Sequence, residues 1–311
     1  MTKKLRIVFI GTEAWAIPCL EALIEQHEVV GVVTKPDAPS GRGHKLTPSP
    51  IKEVAARCNL PVYEPNKLTD ITAKLSGLKA DLGVVIAYGK LIPDEIIDSF
   101  PNGIYNCHPS ALPKYRGPSP IEAAILDNAP ISVSIIQLSA EMDAGDILAQ
   151  TELPGDTSNL TAPKLYAAAG LVGAELLSET IRDLTSGNLR STPQNHELAT
   201  FSTKISKTDG IIDWSKPAAV LEREIRAYAG WPGSKTTLEG QDITVTSAHV
   251  AAMAPTNSIT PNTPLTTPDG SLAFQTSQGL LVVDTLKPAG KREMTGREFL
   301  AGHPLDHLGS K

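Results

Sequence analysis

The densest run of polar side chains is Tyr105-Asn106-Cys107-His108-Pro109-Ser110, continuing through Leu112-Pro113-Lys114-Tyr115-Arg116-Gly117. An amide donor beside an imidazole suits polarisation of a carbonyl and proton transfer near neutral pH. Side chains alternate along a strand, so Asn106 and His108 would share one face while Cys107 points to the other. Cys107 is therefore a poor nucleophile for His108 to activate. Alone, a histidine at a strand end is more often a hydrogen-bonded structural residue. Glu141-Met142-Asp143-Ala144-Gly145-Asp146 shifts the balance, because Asp143 follows the apolar run Ile131–Leu138. Just past the end of a neighbouring strand, its carboxylate could set the protonation and orientation of the imidazole. Asn106, His108 and Asp143 form the candidate catalytic set.

The other candidates carry less. Gly11-Thr12 follows the first apolar run without a G-x-G-x-x-G pattern, and no G-x-x-x-x-G-K-[ST] occurs. A nucleotide cofactor is disfavoured, and Gly11 reads as a tight strand-to-helix turn. His303 and His307 have the helical spacing of a metal pair but no third ligand in sight. They read as a solvated tail, and no metal is expected. The loop Thr34–Pro50 is stiffened by prolines and holds Arg42, His44 and Lys45. It is either an ordinary surface loop or a flap offering a guanidinium to a phosphate or base edge.

These residues need elements to position them, and the first half supplies an alternating pattern. Strands are expected at Leu5–Ile10, Val29–Val33, Leu82–Ala87, Gly103–His108 and Ile131–Leu138. Helices are expected at Ala14–Gln26, Ile51–Cys58, Ile121–Leu126 and about Leu160–Thr185. Val- and Ile-rich strands that are apolar almost throughout suit a doubly wound, mostly parallel α/β sheet, with its ligands at the carboxyl ends of the strands. Ser186–Thr203 is polar and aperiodic, with Gly187 and Pro193, as an interdomain linker would be. Beyond it come a helix at Pro217–Tyr228 and short β runs at Ile243–Thr246 and Leu280–Val283, separated by turns. That grammar suggests a small β-barrel, with the Pro- and Thr-rich stretch Ala254–Gly270 as an exposed loop within it. The expected division is a domain over 1–187, a linker over 188–203 and a second domain over 204–311.

Composition fits this division. The chain has 311 residues, 41% hydrophobic and 20% charged, with a net charge of −6. That length supports two domains with real cores. Cys19, Cys58 and Cys107 are too few and too scattered for a disulfide framework, which fits a reducing compartment. Apolar runs fall short of the ~18 residues of a membrane span, and none forms a signal-peptide core. A cytoplasmic chain without membrane attachment is expected. The basic and acidic side chains of residues 204–311 balance, so the acidic excess lies wholly in residues 1–203. A general nucleic-acid coat is disfavoured, while a local contact stays open.

The block N-C-H-P-S-A-L-P-K-Y-R-G at 106–117, followed by M-D-A-G-D at 142–146, resembles the folate-dependent formyltransferases. KPDAPSGRGHKLTPSPIK at 35–52 is similar to an insertion loop in those members of the family that act on methionyl-tRNA. So are KISKTDGIIDW at 204–214, IRAYAGWPG at 225–233 and LKPAGKREMTGREFLAG at 286–302. The similarity spans nearly the whole chain, although Glu13 and the stretch 254–270 depart from the pattern. The resemblance implies formyl transfer from 10-formyltetrahydrofolate to the amino group of methionyl initiator tRNA; separately, a monomer is expected. It implies that Asn106, His108 and Asp143 are catalytic. Ser110, Ala111, Leu112 and Pro113, with Ala87, Tyr88 and Gly89, would contact the folate. Arg42, His44 and Lys45 would reach the tRNA, and the second domain would be an OB-like barrel. Rival readings are a family member with a small amine acceptor, a formyl-folate hydrolase and, furthest away, a non-catalytic RNA-binding module.

Overall fold

A computed structural model describes residues 3–40, 45–238, 240–251 and 260–305. The first half contains β1 (Arg6–Gly11), α1 (Ile17–Gln26), β2 (Glu28–Val33), β3 (Ala38–Ser40), β4 (Lys45–Thr47), α2 (Pro50–Arg57), β5 (Val62–Tyr63) and α3 (Thr72–Gly77). It continues with β6 (Leu82–Ile86), α4 (Asp94–Ile97), β7 (Ile104–His108), α5 (Pro120–Leu126), β8 (Ser132–Gln137), β9 (Ile147–Glu152) and α6 (Ala162–Ser186). Seven of these strands form one sheet in the order β5-β2-β1-β6-β7-β8-β9. The first five run parallel, and β8 and β9 are antiparallel to their neighbours. Between Thr34 and Pro50 the expected loop contains the short antiparallel pair β3–β4.

Local sequence explains the elements. Ile7, Val8, Phe9 and Ile10 are all fully buried, because a parallel strand with both faces covered can be apolar at every position. Val8 and Ile10 share a core with Val30, Val33, Leu75, Tyr88 and Ile104. Helix α2 starts where Ser49 accepts a hydrogen bond from the Lys52 backbone N–H and Pro50 fixes the first helical turn. Small residues let α6 approach the sheet closely. A Cβ on Gly173 would lie 2.7 Å from Cys107 Sγ, and one on Gly170 would lie 2.2 Å from the Trp15 carbonyl oxygen.

The chain divides into two compact units. The first comprises residues 1–120, 130–157 and 165–203. The second comprises 121–129, 158–164 and 204–311. The second unit contains α7 (Ala218–Ala227), β10 (Ser234–Leu238), β11 (Gln241–Val250), β12 (Pro264–Thr266), β13 (Leu272–Gln275), β14 (Leu280–Pro288), β15 (Met294–Thr295) and α8 (Gly296–Gly302). Its strands form a curled antiparallel sheet in the order β10-β11-β14-β13-β12, with β15 on β14. The core of this unit holds Leu221, Ile225, Val245, Leu286 and Phe299, with Trp214 stacked on Phe274 at 4.3 Å. The stretch expected as one exposed loop at 254–270 includes β12, and residues 254–259 lie outside the described residues.

Candidate active site

Strand β7 carries the first two candidate residues. It lies between β6, where Val85 is level with Asn106, and β8, where Ile136 faces Asn106 and Ser134 faces His108. The alternation is as expected. Asn106 and His108 reach one face, and Cys107 lies on the other against Gly173. A hydrogen bond with Cys19, and then burial, push the Cys107 thiol well above its ordinary range. A thiol so placed is inert.

Asp143 arrives by a route the sequence did not suggest. Because β8 runs antiparallel to β7, the end of β8 at Gln137 lies beside Tyr105, at the start of β7 rather than its end. The loop 138–146 therefore doubles back. Gln137 N–H donates to the Asp146 carbonyl at 2.9 Å, and a Cβ on Gly145 would sit only 1.7 Å from the Gln137 carbonyl oxygen. Asp143 itself adopts a left-handed backbone with φ +51°, which short polar residues tolerate best. Asn106 Nδ2 donates to Asp143 Oδ1 at 3.2 Å, and Gly117 N–H donates to Asp143 Oδ2 at 2.8 Å. His108 Nδ1 stands 3.7 Å from the same Oδ2. His108 Nε2 lies 3.1 Å from the Tyr115 carbonyl. A carbonyl can only accept, so Nε2 carries a proton. The His108 and Asp143 side chains are 7% and 13% exposed, so their charges act through little water.

Around this cluster the chain from Ser110 to Gly117 is tied down at many points. Ser110 Oγ donates to the Lys114 carbonyl at 2.9 Å. Ser134 Oγ donates to the Ser110 carbonyl at 2.6 Å, and Gln150 Nε2 to the Leu112 carbonyl at 3.0 Å. Ser110 and Leu112 are buried, whereas Ala111 and Pro113 keep part of their surface. In the other segment expected to touch folate, Ala87 and Gly89 have left-handed backbones on either side of Tyr88. The Tyr88 ring belongs to the hydrophobic core, and among the described residues its buried hydroxyl has no hydrogen-bond partner. Arg42 and His44 lie outside the described residues, as does the Lys45 side chain. His303 is not a solvated tail residue, since its ring stacks on Phe299 at 4.5 Å; His307 lies outside the described residues. Among the described residues, no group of three or more His, Cys, Asp and Glu could hold a metal ion.

The stretch expected as a linker packs onto the first unit. Thr192 exchanges two backbone hydrogen bonds with Ile147, both at 2.8 Å. Tyr115 N–H donates to Thr200 Oγ1 at 2.9 Å, and Ser119 N–H to Ser202 Oγ at 3.1 Å. Gln194 and Arg116, both buried, meet between them. Arg116 Nε and Nη2 donate to Gln194 Oε1 at 3.1 and 2.7 Å. Gln194 Nε2 donates to the carbonyls of Asp143 and Gly145 at 2.8 and 2.7 Å. A lone Gln in a polar stretch gives no periodic signal, and its partners appear only in the fold.

Both the sequence and the fold have known relatives. The family described as Formyl transferase matches residues 5–181, and Formyl transferase, C-terminal domain, matches 204–304. A methionyl-tRNA formyltransferase of Roseiflexus castenholzii is 43% identical, over 96% of both chains. Two solved structures share the fold at 18% identity. An N-formyltransferase from Helicobacter canadensis, in complex with folinic acid and dTDP-3-aminofucose, has a TM-score of 0.68 and covers 90% of this chain and 98% of its own. HypX from Aquifex aeolicus, in complex with tetrahydrofolic acid, has a TM-score of 0.64. It covers 96% of this chain, which spans about half (47%) of the HypX chain.

Proposed function

The chain belongs to the methionyl-tRNA formyltransferases, and on that premise we propose that Asn106, His108 and Asp143 carry its reaction on 10-formyltetrahydrofolate. The activity is transfer of a formyl group to the amino group of methionyl initiator tRNA. The uncharged methionyl amine attacks the formyl carbon, and negative charge builds on the formyl oxygen. Asn106 uses one amide proton on Asp143 and has a second for that oxygen. His108 already commits its Nε2 proton to Tyr115. It can donate to the oxygen only from Nδ1, which requires the doubly protonated ring beside the Asp143 carboxylate.

Asp143 has a second task. Amide formation releases a proton from the amine, and the folate nitrogen must gain one as it departs. The carboxylate, held by Asn106 and Gly117, is the group in the cluster able to relay it. The scheme uses no metal ion. Ala111, Pro113 and the backbone of Ala87 and Gly89 offer surface to the folate. Arg42, His44 and Lys45 would face the acceptor end of the tRNA. We place the reaction in the cytoplasm, on a monomer.

The observation that supports this reading is the convergence of three groups from two separated segments, an amide hydrogen-bonded to a carboxylate and an imidazole 3.7 Å from that carboxylate. The test is a mass shift of one formyl group on methionyl-tRNA, dependent on formyl folate. Replacing Asn106 or His108 by Ala should lower kcat by about 10²–10³, as loss of an oxyanion donor does, with KM little changed. Unchanged turnover in either variant would remove that residue from the mechanism. Formylation of small amines instead of the tRNA would favour a different acceptor.

A further inference from the structure

Arg116 is an unusual residue on energetic grounds. It is 3% exposed, and among the described residues no carboxylate forms an ion pair with it. Its side-chain partners are Gln194 and His196, the latter at 3.5 Å. A buried cation without a carboxylate partner is an expensive way to stabilise a fold. What the arrangement does provide is orientation. The guanidinium can only donate, so it fixes Gln194 Oε1 towards itself and turns both amide protons towards Asp143 and Gly145. Every hydrogen-bonding position of the Gln194 amide is then used.

We propose that Gln194, oriented by Arg116, is a positioning residue that sets the Asp143 carboxylate for formyl transfer. The inference rests on the assignment of Asp143 to the reacting set made above. Two constraints meet at Asp143. Gln194 holds its backbone carbonyl, in a left-handed conformation that short polar residues tolerate but do not prefer. Gly117, the residue after Arg116, holds its carboxylate. The Arg116–Gln194 pair thus joins the loop carrying the carboxylate to the loop that aims it. A small misplacement of a reacting group costs turnover steeply and binding little.

The test uses the full-length protein with methionyl-tRNA and 10-formyltetrahydrofolate. Gln194→Ala removes the clamp. Gln194→Glu keeps an acceptor for Arg116 but turns an oxygen towards the two carbonyls, so it isolates the lost donors. Both should lower kcat by about 10–100-fold, with KM for both substrates within about threefold. In the Asp143→Asn background, adding Gln194→Ala should change kcat by no more than about threefold, because the two act as one unit. A folded Gln194→Glu enzyme with near-normal kcat, or losses that multiply in the double variant, would overturn the inference while leaving the role of Asp143 intact. Loss of cooperative unfolding in both single variants would assign Gln194 to the fold alone and also overturn it. Asp143→Asn with wild-type turnover would overturn the reading of the site, and this inference with it.

Discussion

The groups of the proposed reacting set are held as much by backbone as by side chains, and Gly117 shows why. Its φ is +108°, and a Cβ there would lie 2.7 Å from the Ser202 carbonyl oxygen while its N–H donates to Asp143. Only glycine meets all three demands. Gly117→Ala should cost about 2 kcal/mol of stability, read from the urea midpoint. It should also lower kcat by at least about 10-fold, since the donor to Asp143 moves. Normal turnover in a folded variant would show that this N–H does not aim the carboxylate. Asn106, His108 and Asp143 could be singled out as candidates because residue type and strand alternation are written locally, whereas the doubled-back route that brings Asp143 to them was not. Gln194 and Arg116 were not. Each gains its meaning from a partner distant in the chain, and neither breaks any local pattern.

Among the elements, parallel strands were legible where burial on both faces makes every position apolar, as in β1 and β6. Strand β9 was not, because Ile147–Glu152 runs from half-buried to exposed residues and offers no apolar run. The antiparallel direction of β8 was also hidden, since Ile131–Leu138 reads the same in either orientation. The same gap hid the role of residues 188–203. Polar and aperiodic, they resemble a linker, yet they work as a strap across Tyr115–Ser119. Thr200 and Ser202 accept from Tyr115 and Ser119, and the Thr200 carbonyl accepts from the Arg116 N–H at 2.9 Å. Thr200→Val keeps the shape and removes the acceptor for Tyr115, whose carbonyl meets His108. The expected cost is about 1 kcal/mol in chemical denaturation. The accompanying fall in kcat should be about 3–10-fold, because His108 is steered through Tyr115. A stability loss without any change in kcat would separate the strap from the chemistry.

Across the whole molecule, each unit contains a buried phenol whose ionisation the fold opposes. Burial pushes Tyr105, in the first unit, up to about 12. Burial, then the charges of Glu224, Asp209 and Glu122, push Tyr228, in the second unit, up to about 12. The ordinary value of the phenol is 10.0. Above that pH the unfolded chain releases these protons while the folded chain keeps them, so the folded state binds more protons and stability falls as pH rises. Each contribution is fully present below pH 10 and is lost as pH climbs through about 12. The loss is at most about 3 kcal/mol per tyrosine, because a tenfold change in proton affinity corresponds to about 1.4 kcal/mol. Calorimetry across this range should therefore show the unfolding temperature dropping steeply on the alkaline side. Tyr105→Phe should flatten that limb only in part, because burial also raises Tyr88 in the same unit. Tyr228→Phe should flatten it for the second unit, whose core is separate. The two effects should add, since the causes of the two shifts have no residue in common. An alkaline limb as steep in Tyr105→Phe and Tyr228→Phe as in the unaltered protein would mean that neither phenol is held neutral by its surroundings.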